Sequence, residues 1–228
     1  MLPVSQMHIK KTGPTSKNPS RAGPATKRQP HIVRERILAA ARVHFTRDGF
    51  KGARMRWIAA EAGVTSQLLV HHFKSKEGLW RTLMIEFFTE YDALEERHRE
   101  SYSEGTAVER LRIEIKAAIR LLLKFPDTHK MFTQEAGQPS SRLQWLIENY
   151  VSKHFELICN LLRQGQAGGF VRPGDPVTLY TMILAMLNAP CAFSALHHTL
   201  DDSDPFSADV IEQIEQIIND VIFVSRCD

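Results

Sequence analysis

The chain has 228 residues, 43% of them hydrophobic, which is enough apolar material for one or two domains with real cores. Its net charge of +3 conceals a division: residues 1–30 carry six basic side chains and no acid, residues 31–81 ten basic and four acidic, and residues 82–228 thirteen basic and twenty-two acidic. A basic front on an acidic body fits a polyanion-binding module, for nucleic acid first of all, joined to a part that stays off the polyanion. Cys159, Cys191 and Cys227 are far apart and form no CxxC pair, which argues against a disulfide framework or a zinc site and agrees with a reducing cytoplasm.

Residues 1–30 are rich in Pro, Ser, Thr, Gly and Lys without hydrophobic periodicity. They read as a disordered basic tail, either an arm with affinity for phosphate or a solubilising extension. No apolar stretch of secretory-signal type follows the N-terminal lysines, so a cytoplasmic location is expected. From Arg34 onward the pattern is helical, and strand alternation is lacking. The first helix aligns Ile37, Ala41 and Phe45 and stops at Gly49; a short second holds Ile58, Ala59 and Ala62 and stops at Gly63. The third runs from about Thr65 to Phe73, and Ser75 caps a long fourth whose Leu79, Leu83, Phe87 and Tyr91 recur every four residues.

Thr106-Ala-Val-Glu109 matches a capping box, and the helix after it carries Leu111, Ile115, Ala118 and Leu122 as far as Pro126. A shorter helix covers Asp127 to about Ala136. Ser141-Arg-Leu-Gln144 is a second capping-box match, opening a long helix to Gly168-Gly169. Asp175-Pro176 starts the next, and a last helix from about Ser207 repeats Ile214, Ile217, Ile218, Val221 and Ile222. The prediction is all-α with nine helices: a three-helix unit over residues 31–81, then six helices over 82–228. Residues Pro176–Leu200 contain no Asp, Glu, Lys or Arg, but their Thr, Asn, Ser and His content favours a helix buried in an interface over a membrane span.

The informative segment is Arg54–Leu79. Two short helices meet at Gly63, where positive φ costs a glycine little. Small Ala59 and Ala62 allow a close crossing, which Val64, Leu69 and Phe73 hold. This is helix-turn-helix construction, with the later helix presented to the DNA major groove.

The run Ile58-Ala-x-x-Ala-Gly-Val-Thr65, then Leu69-x-x-His-Phe73, then Ser75-Lys-Glu-x-Leu79, closely resembles the DNA-binding domain of TetR-family repressors, and the nine-helix layout agrees. The resemblance implies roles by position. Arg56 matches a place that reaches bases or phosphate. Thr65, Ser66, Gln67 and Leu68 match the exposed start of the recognition helix, and His71 and His72 its far end. Lys76 matches a phosphate contact at the opening of the fourth helix. Three positions depart from the family pattern: Val70 replaces the usual tyrosine, Gln67 the usual glycine or proline, and Arg54 the usual capping threonine. Arg54 can serve as an added phosphate contact; alternatively Arg54 and Arg56 are solvated charges. The departures bear on the operator sequence more than on DNA binding itself. Trp57 stands where relatives have a polar residue and is expected to pack on the first or fourth helix, the alternative being a place on the DNA backbone. Adjacent His71 and His72 point about 100° apart on a helix and do not share a metal ion.

The resemblance further implies a C-terminal domain that binds a small-molecule effector and forms a homodimer, its last two helices building a four-helix bundle across a two-fold axis. The uncharged helix around Met182–Leu196 and the Ile-rich one around Ile211–Ile222 are independently too apolar to leave exposed. Two recognition helices related by two-fold symmetry read a palindromic double-stranded operator. Phe125-Pro-Asp-x-x-x-Met-Phe-x-x-Glu135 and the Trp145 region resemble a broad subgroup of these regulators, pyrimidine-sensing ones among them, without naming a ligand. Effector candidates are Met131, Phe132, Glu135, Trp145, Met182, Met186 and Asn188, each of which plain core packing also explains. Cys191 reads as buried packing, with a redox sensor as its alternative. No nucleophile elbow, phosphate-cradling loop or metal-spaced cluster occurs, so neither an enzyme nor a cofactor is expected.

Overall fold

The computed structural model describes residues 30–99, 105–202 and 204–224. The predicted tail, except Pro30, lies outside them, as does Cys227. Helix α1 (Pro30–Gly52) loses helical geometry at Gly49, where φ is 67°, and finishes with one short turn. Helices α2 (Met55–Glu61) and α3 (Ser66–Phe73) follow, then α4 (Lys76–Arg99) and α5 (Ala107–Lys124). Helix α6 (Pro126–Ala136) precedes α7 (Ser141–Leu146), a π-turn at Ile147–Val151 and α8 (Ser152–Ala167). The order closes with α9 (Pro176–Ala192), α10 (Ser194–Asp201) and α11 (Ala208–Ile222).

Side chains supply the caps. Thr106 Oγ1 accepts from the Glu109 amide at 3.2 Å, and Glu109 Oε2 accepts from the Thr106 amide at 2.7 Å, completing the box. Ser75 Oγ accepts from Gly78 N, and Asp175 Oδ2 from Thr178 N, both at 2.9 Å. The second predicted box is displaced by one residue. Ser140 is the cap, its Oγ accepting from Leu143 N at 2.9 Å, so the helix starts one residue earlier.

Eleven helical segments among the described residues replace the nine predicted, for two reasons. The π-turn interrupts the helix expected between residues 141 and 167. The uncharged segment breaks at Phe193, where α9 and α10 meet at a bend of 61°. Pro190, one turn earlier, has no N–H for the ladder and so weakens it there. Among the described residues no single helix is long and apolar enough to cross a membrane, although α9 and α10 together pass on length and composition. Chain segments 170–172 and 222–224 add one isolated bridge, Val171 to Phe223.

Two apolar clusters form the interior. The first takes Ile37, Leu38, Ala41 and Phe45 from α1, Ile58 and Ala59 from α2, Leu69 and Phe73 from α3, and Leu79–Phe88 from α4. It continues into Leu121, Met131 and Leu146. The second joins Leu111, Ile115 and Leu122 of α5 to Ile158 and Leu162 of α8, Ile183 and Leu187 of α9, and Ile218 and Ile222 of α11. Helix α4 therefore begins inside the helix-turn-helix and runs its buried face along the rest of the molecule.

Candidate functional site

The crossing of α2 and α3 is set by buried Ile58, Ala59, Ala62 and Leu69, none more than 3% exposed. Between them Gly63 adopts φ 61°, and a Cβ there would lie 2.5 Å from Arg36 Nη2. That guanidinium donates to the carbonyls of Ala62 and Gly63, so α1 secures the turn through backbone acceptors that the helix end leaves open. The left-handed φ selects glycine, and a side chain there would also displace the Arg36 guanidinium from those carbonyls.

With Leu69 and Phe73 turned inward, α3 presents Ser66, Gln67, Leu68, Val70 and His71 outward, while His72 is half-buried. Thr65 is exposed, and its hydroxyl oxygen accepts from Leu68 N at 3.2 Å. It caps the helix that it was expected to serve only as a DNA contact. Arg54 and Arg56 are exposed at the start of α2. The expected packing of Trp57 on α1 or α4 is not found: the indole is 42% exposed, because the neighbouring Ile58 takes the inward direction and the next helical position points about 100° away. The guanidinium carbons of Arg54 and Arg56 lie 4.8 and 5.5 Å from the Trp57 ring centroid. Two cations thus flank one exposed aromatic plate.

Lys76 holds a different position from the other cations. Its Nζ donates to Ala53 O at 3.1 Å and Lys51 O at 3.4 Å, and stands 4.7 Å from the Phe50 ring centroid. Burial, and next the nearby Arg142, lower its pKa. Lys76 therefore ties the end of α1 to the start of α4, with one N–H left for an anion.

A second feature lies between α4, α5, α6, α8 and α9. This cavity, about 100 Å³, is walled by Phe87, Phe88, Phe132, Ile158, Ile183 and Leu187. Its polar members are Tyr91, Glu114, His129, His154 and Tyr180. Tyr91 Oη donates to Glu114 Oε2 at 3.2 Å, and the Tyr91 and His154 rings meet edge to face at 4.1 Å. Glu114 is 2% exposed, and burial, followed by the Glu95 charge, raises its pKa. Glu114 Oε1 and His154 Nδ1 have no hydrogen-bond partner among the described residues.

Of the seven effector candidates, Phe132 lines this cavity. Met131 lies in the first core, and Trp145 packs there against Trp80 at 6.4 Å beneath the Arg81 guanidinium. Glu135 accepts from Arg142 Nε and Nη2 at 3.0 and 2.9 Å and from the Ser140 hydroxyl. Met182 is 47% exposed, and Met186 packs on the second core. Asn188 accepts from the Thr133 hydroxyl and donates to Leu184 O at 2.6 Å. Tyr91, Glu114 and His154 escaped the sequence reading. The available signal was Glu114 itself, a carboxylate on the apolar face defined by Leu111, Ile115 and Ala118. Cys191 is 1% exposed and burial pushes its thiol up to about 12, as plain packing requires.

Two sequence profiles match. Residues 37–83 fit "Bacterial regulatory proteins, tetR family", and residues 107–222 fit "Tetracyclin repressor-like, C-terminal domain". The HTH-type transcriptional regulator RutR of Escherichia coli K12 is 29% identical over 195 residues, covering 80% of this chain and 86% of the relative. The HTH-type transcriptional repressor KstR2 of Mycolicibacterium smegmatis is 28% identical over 158 residues, 68% of this chain and 76% of that one. Among solved structures, AibR in complex with isovaleryl coenzyme A and operator DNA superposes with a TM-score of 0.64 at 22% identity, covering 84% of this chain and 98% of its own. With both halves matched and the helix-turn-helix in place, the chain belongs to the TetR family of transcriptional regulators.

Proposed function

We propose that this regulator represses transcription by binding a palindromic double-stranded operator as a homodimer, and that a small molecule entering the apolar cavity releases it. The observation that carries the reading is the course of α4. Its first turns hold α3 through Leu79 and Trp80, and its later turns wall the cavity with Phe87, Phe88 and Tyr91. A ligand favouring a different α4 position shifts the spacing of two recognition helices and so disfavours the bound form, with about 1–3 kcal/mol of coupling typical of such systems.

Helix α6 supplies a second linkage. Phe132 and His129 line the cavity, while Gln134 Nε2 donates to Thr46 O at 3.1 Å and Thr46 Oγ1 donates to Asp127 O at 3.2 Å. Arg142 adds a third contact, its guanidinium 3.7 Å from the Phe50 ring while paired to Glu135. That AibR, of the same fold, holds isovaleryl coenzyme A and operator DNA together supports one molecule serving both tasks.

For DNA, Arg54, Arg56 and Lys76 take phosphate, and the exposed Ser66, Gln67, Leu68 and His71, with half-buried His72, face base edges or sugar–phosphate, Thr65 shaping the helix start. For the dimer, exposed Met182, Phe193, Leu196 and Ile217 on α9, α10 and α11 form the apolar face that a second copy covers. Fluorescence anisotropy against DNA tiles from the region upstream of its own gene, with a scrambled tile across a salt series, tests the reading. Tile-specific binding that weakens steeply with salt, with two chains per tile, is expected. Equal affinity for every tile, or one chain per tile, would overturn it.

A further inference from the structure

The cavity specifies the chemistry of its occupant. Two buried polar atoms in its lining residues, Glu114 Oε1 and His154 Nδ1, lack partners among the described residues, although Glu114 is only 2% and His154 only 9% exposed. Native proteins seldom leave such atoms unmatched, because each forgoes its hydration without return. Both are acceptors. The Glu114 oxygen is a carboxylate oxygen whose twin already accepts from Tyr91 Oη. His154 Nε2 faces Asp92 Oδ1 at 3.7 Å, and the tautomer with its proton toward that carboxylate carries a lone pair on Nδ1.

The surrounding wall is aromatic: Phe87, Phe88, Tyr91, Phe132 and Tyr180. Aromatic faces attract a cation when water is excluded. A carboxylate ligand would set acceptor against acceptor, and a hydrocarbon would leave both atoms unmatched. An ammonium group brings three donors and a positive charge. A volume of about 100 Å³ is below the about 150 Å³ that holds benzene, so one ring is the upper limit of the body and seats only as the wall gives way a little.

We propose that the effector is a compact apolar primary amine, its ammonium donating to Glu114 Oε1 and His154 Nδ1 and its body held among the cavity's aromatic rings. This rests on the reading of the cavity as the effector site. On the outer side of His154, Glu95 is paired with Lys153 at 3.7 Å, and Glu114 is the buried carboxyl group that lines the cavity.

Calorimetry on the full chain with benzylamine, benzyl alcohol and benzoate, three head groups on nearly one body, tests the idea. Benzylamine should bind saturably, benzyl alcohol at least tenfold more weakly, and benzoate not at all. Glu114→Gln should weaken benzylamine at least tenfold and change benzyl alcohol by less than twofold, which also reports that the variant is folded. If benzoate or benzyl alcohol binds as well as benzylamine, or if Glu114→Gln leaves benzylamine unchanged, the amine assignment is wrong. Ile183→Trp, which fills the cavity, separates the two readings. Loss of all binding in that variant keeps the cavity as the site even when the amine assignment fails. If binding survives the tryptophan, or no probe binds the wild-type chain, the cavity reading fails and the inference with it.

Discussion

The helix-turn-helix and the cavity region differ in how much polar material they bury. Up to Phe73 the described chain buries one polar residue, His44, whose Nδ1 lies 3.4 Å from Asp48 Oδ2. Its one buried side-chain atom without a partner is Nε of half-buried Arg42, whose Nη2 pairs with Glu86 at 3.3 Å. The cavity region buries Glu114, His129 and His154, and two of these keep an unpartnered atom. A unit that must hold a fixed shape against DNA gains from close packing around few buried polar residues. A unit that must respond to a ligand keeps free energy of binding in reserve, as unmatched acceptors beside a void.

The largest effect tests the packed side of that contrast. Leu69→Ala removes a side chain with no exposure at the α2–α3 crossing and should cost about 2–5 kcal/mol by urea denaturation, with operator binding lost. A cost below about 1 kcal/mol would show that the front is looser than described. Next comes acid lability of the cavity side. Burial lowers the pKa of His129 to about 4 from 6.5 when unfolded. Between those values the unfolded chain binds the extra proton, so stability is complete above pH 6.5 and falls as the pH drops toward 4. The loss should be roughly 3 kcal/mol, and His129→Leu should flatten that part of a pH series of denaturation curves.

Replacing Tyr91 and Glu114 together (Y91F/E114L) removes the pair and its unmatched oxygen. The ligand-free protein should gain about 1–2 kcal/mol, and benzylamine binding should vanish. A net loss of stability would mean that Glu114 is satisfied in solution. The smallest effect falls on the DNA face. Arg56→Ala should lower affinity for all tiles alike and reduce the log–log salt slope by about 1.8 (about 0.9 for each of the two chains), whereas Gln67→Ala should alter tile preference. Identical preference profiles for the two variants would contradict their separate roles.

The same contrast governs what was readable in the sequence. Surface roles on α3 follow from local periodicity: once Leu69 and Phe73 are fixed inward, Gln67, Leu68 and His71 must point out. Caps at Thr106 and Asp175 are local for the same reason. The cavity is not local. Tyr91, Glu114 and His154 stand on α4, α5 and α8, and only tertiary packing brings them together. Composition therefore directed the effector search toward Met182 and Trp145, one of which is exposed and the other set edge-on against Trp80 of the first core. The break at Phe193 and the π-turn also escaped: the apolar run continues across the first, and the second shows only as one surplus residue between Leu146 and Ile158.

The π-turn at Ile147–Val151 bears on which insertions and deletions the chain can tolerate. Buried Leu146 and Ile158 are twelve positions apart, which an uninterrupted α-helix would rotate to about 120° from each other. A π-turn absorbs one surplus residue, and eleven effective steps bring the two within about 20°. A deletion of one residue inside Ile147–Val151 would thus yield a plain α-helix with Leu146, His154 and Ile158 still directed inward. The same deletion a turn later would rotate every following side chain by about 100° and carry Ile158 out of the cavity wall. Length variation among lineages of this chain should accordingly be found at this one turn of the helix, and nowhere else between Ser141 and Ala167.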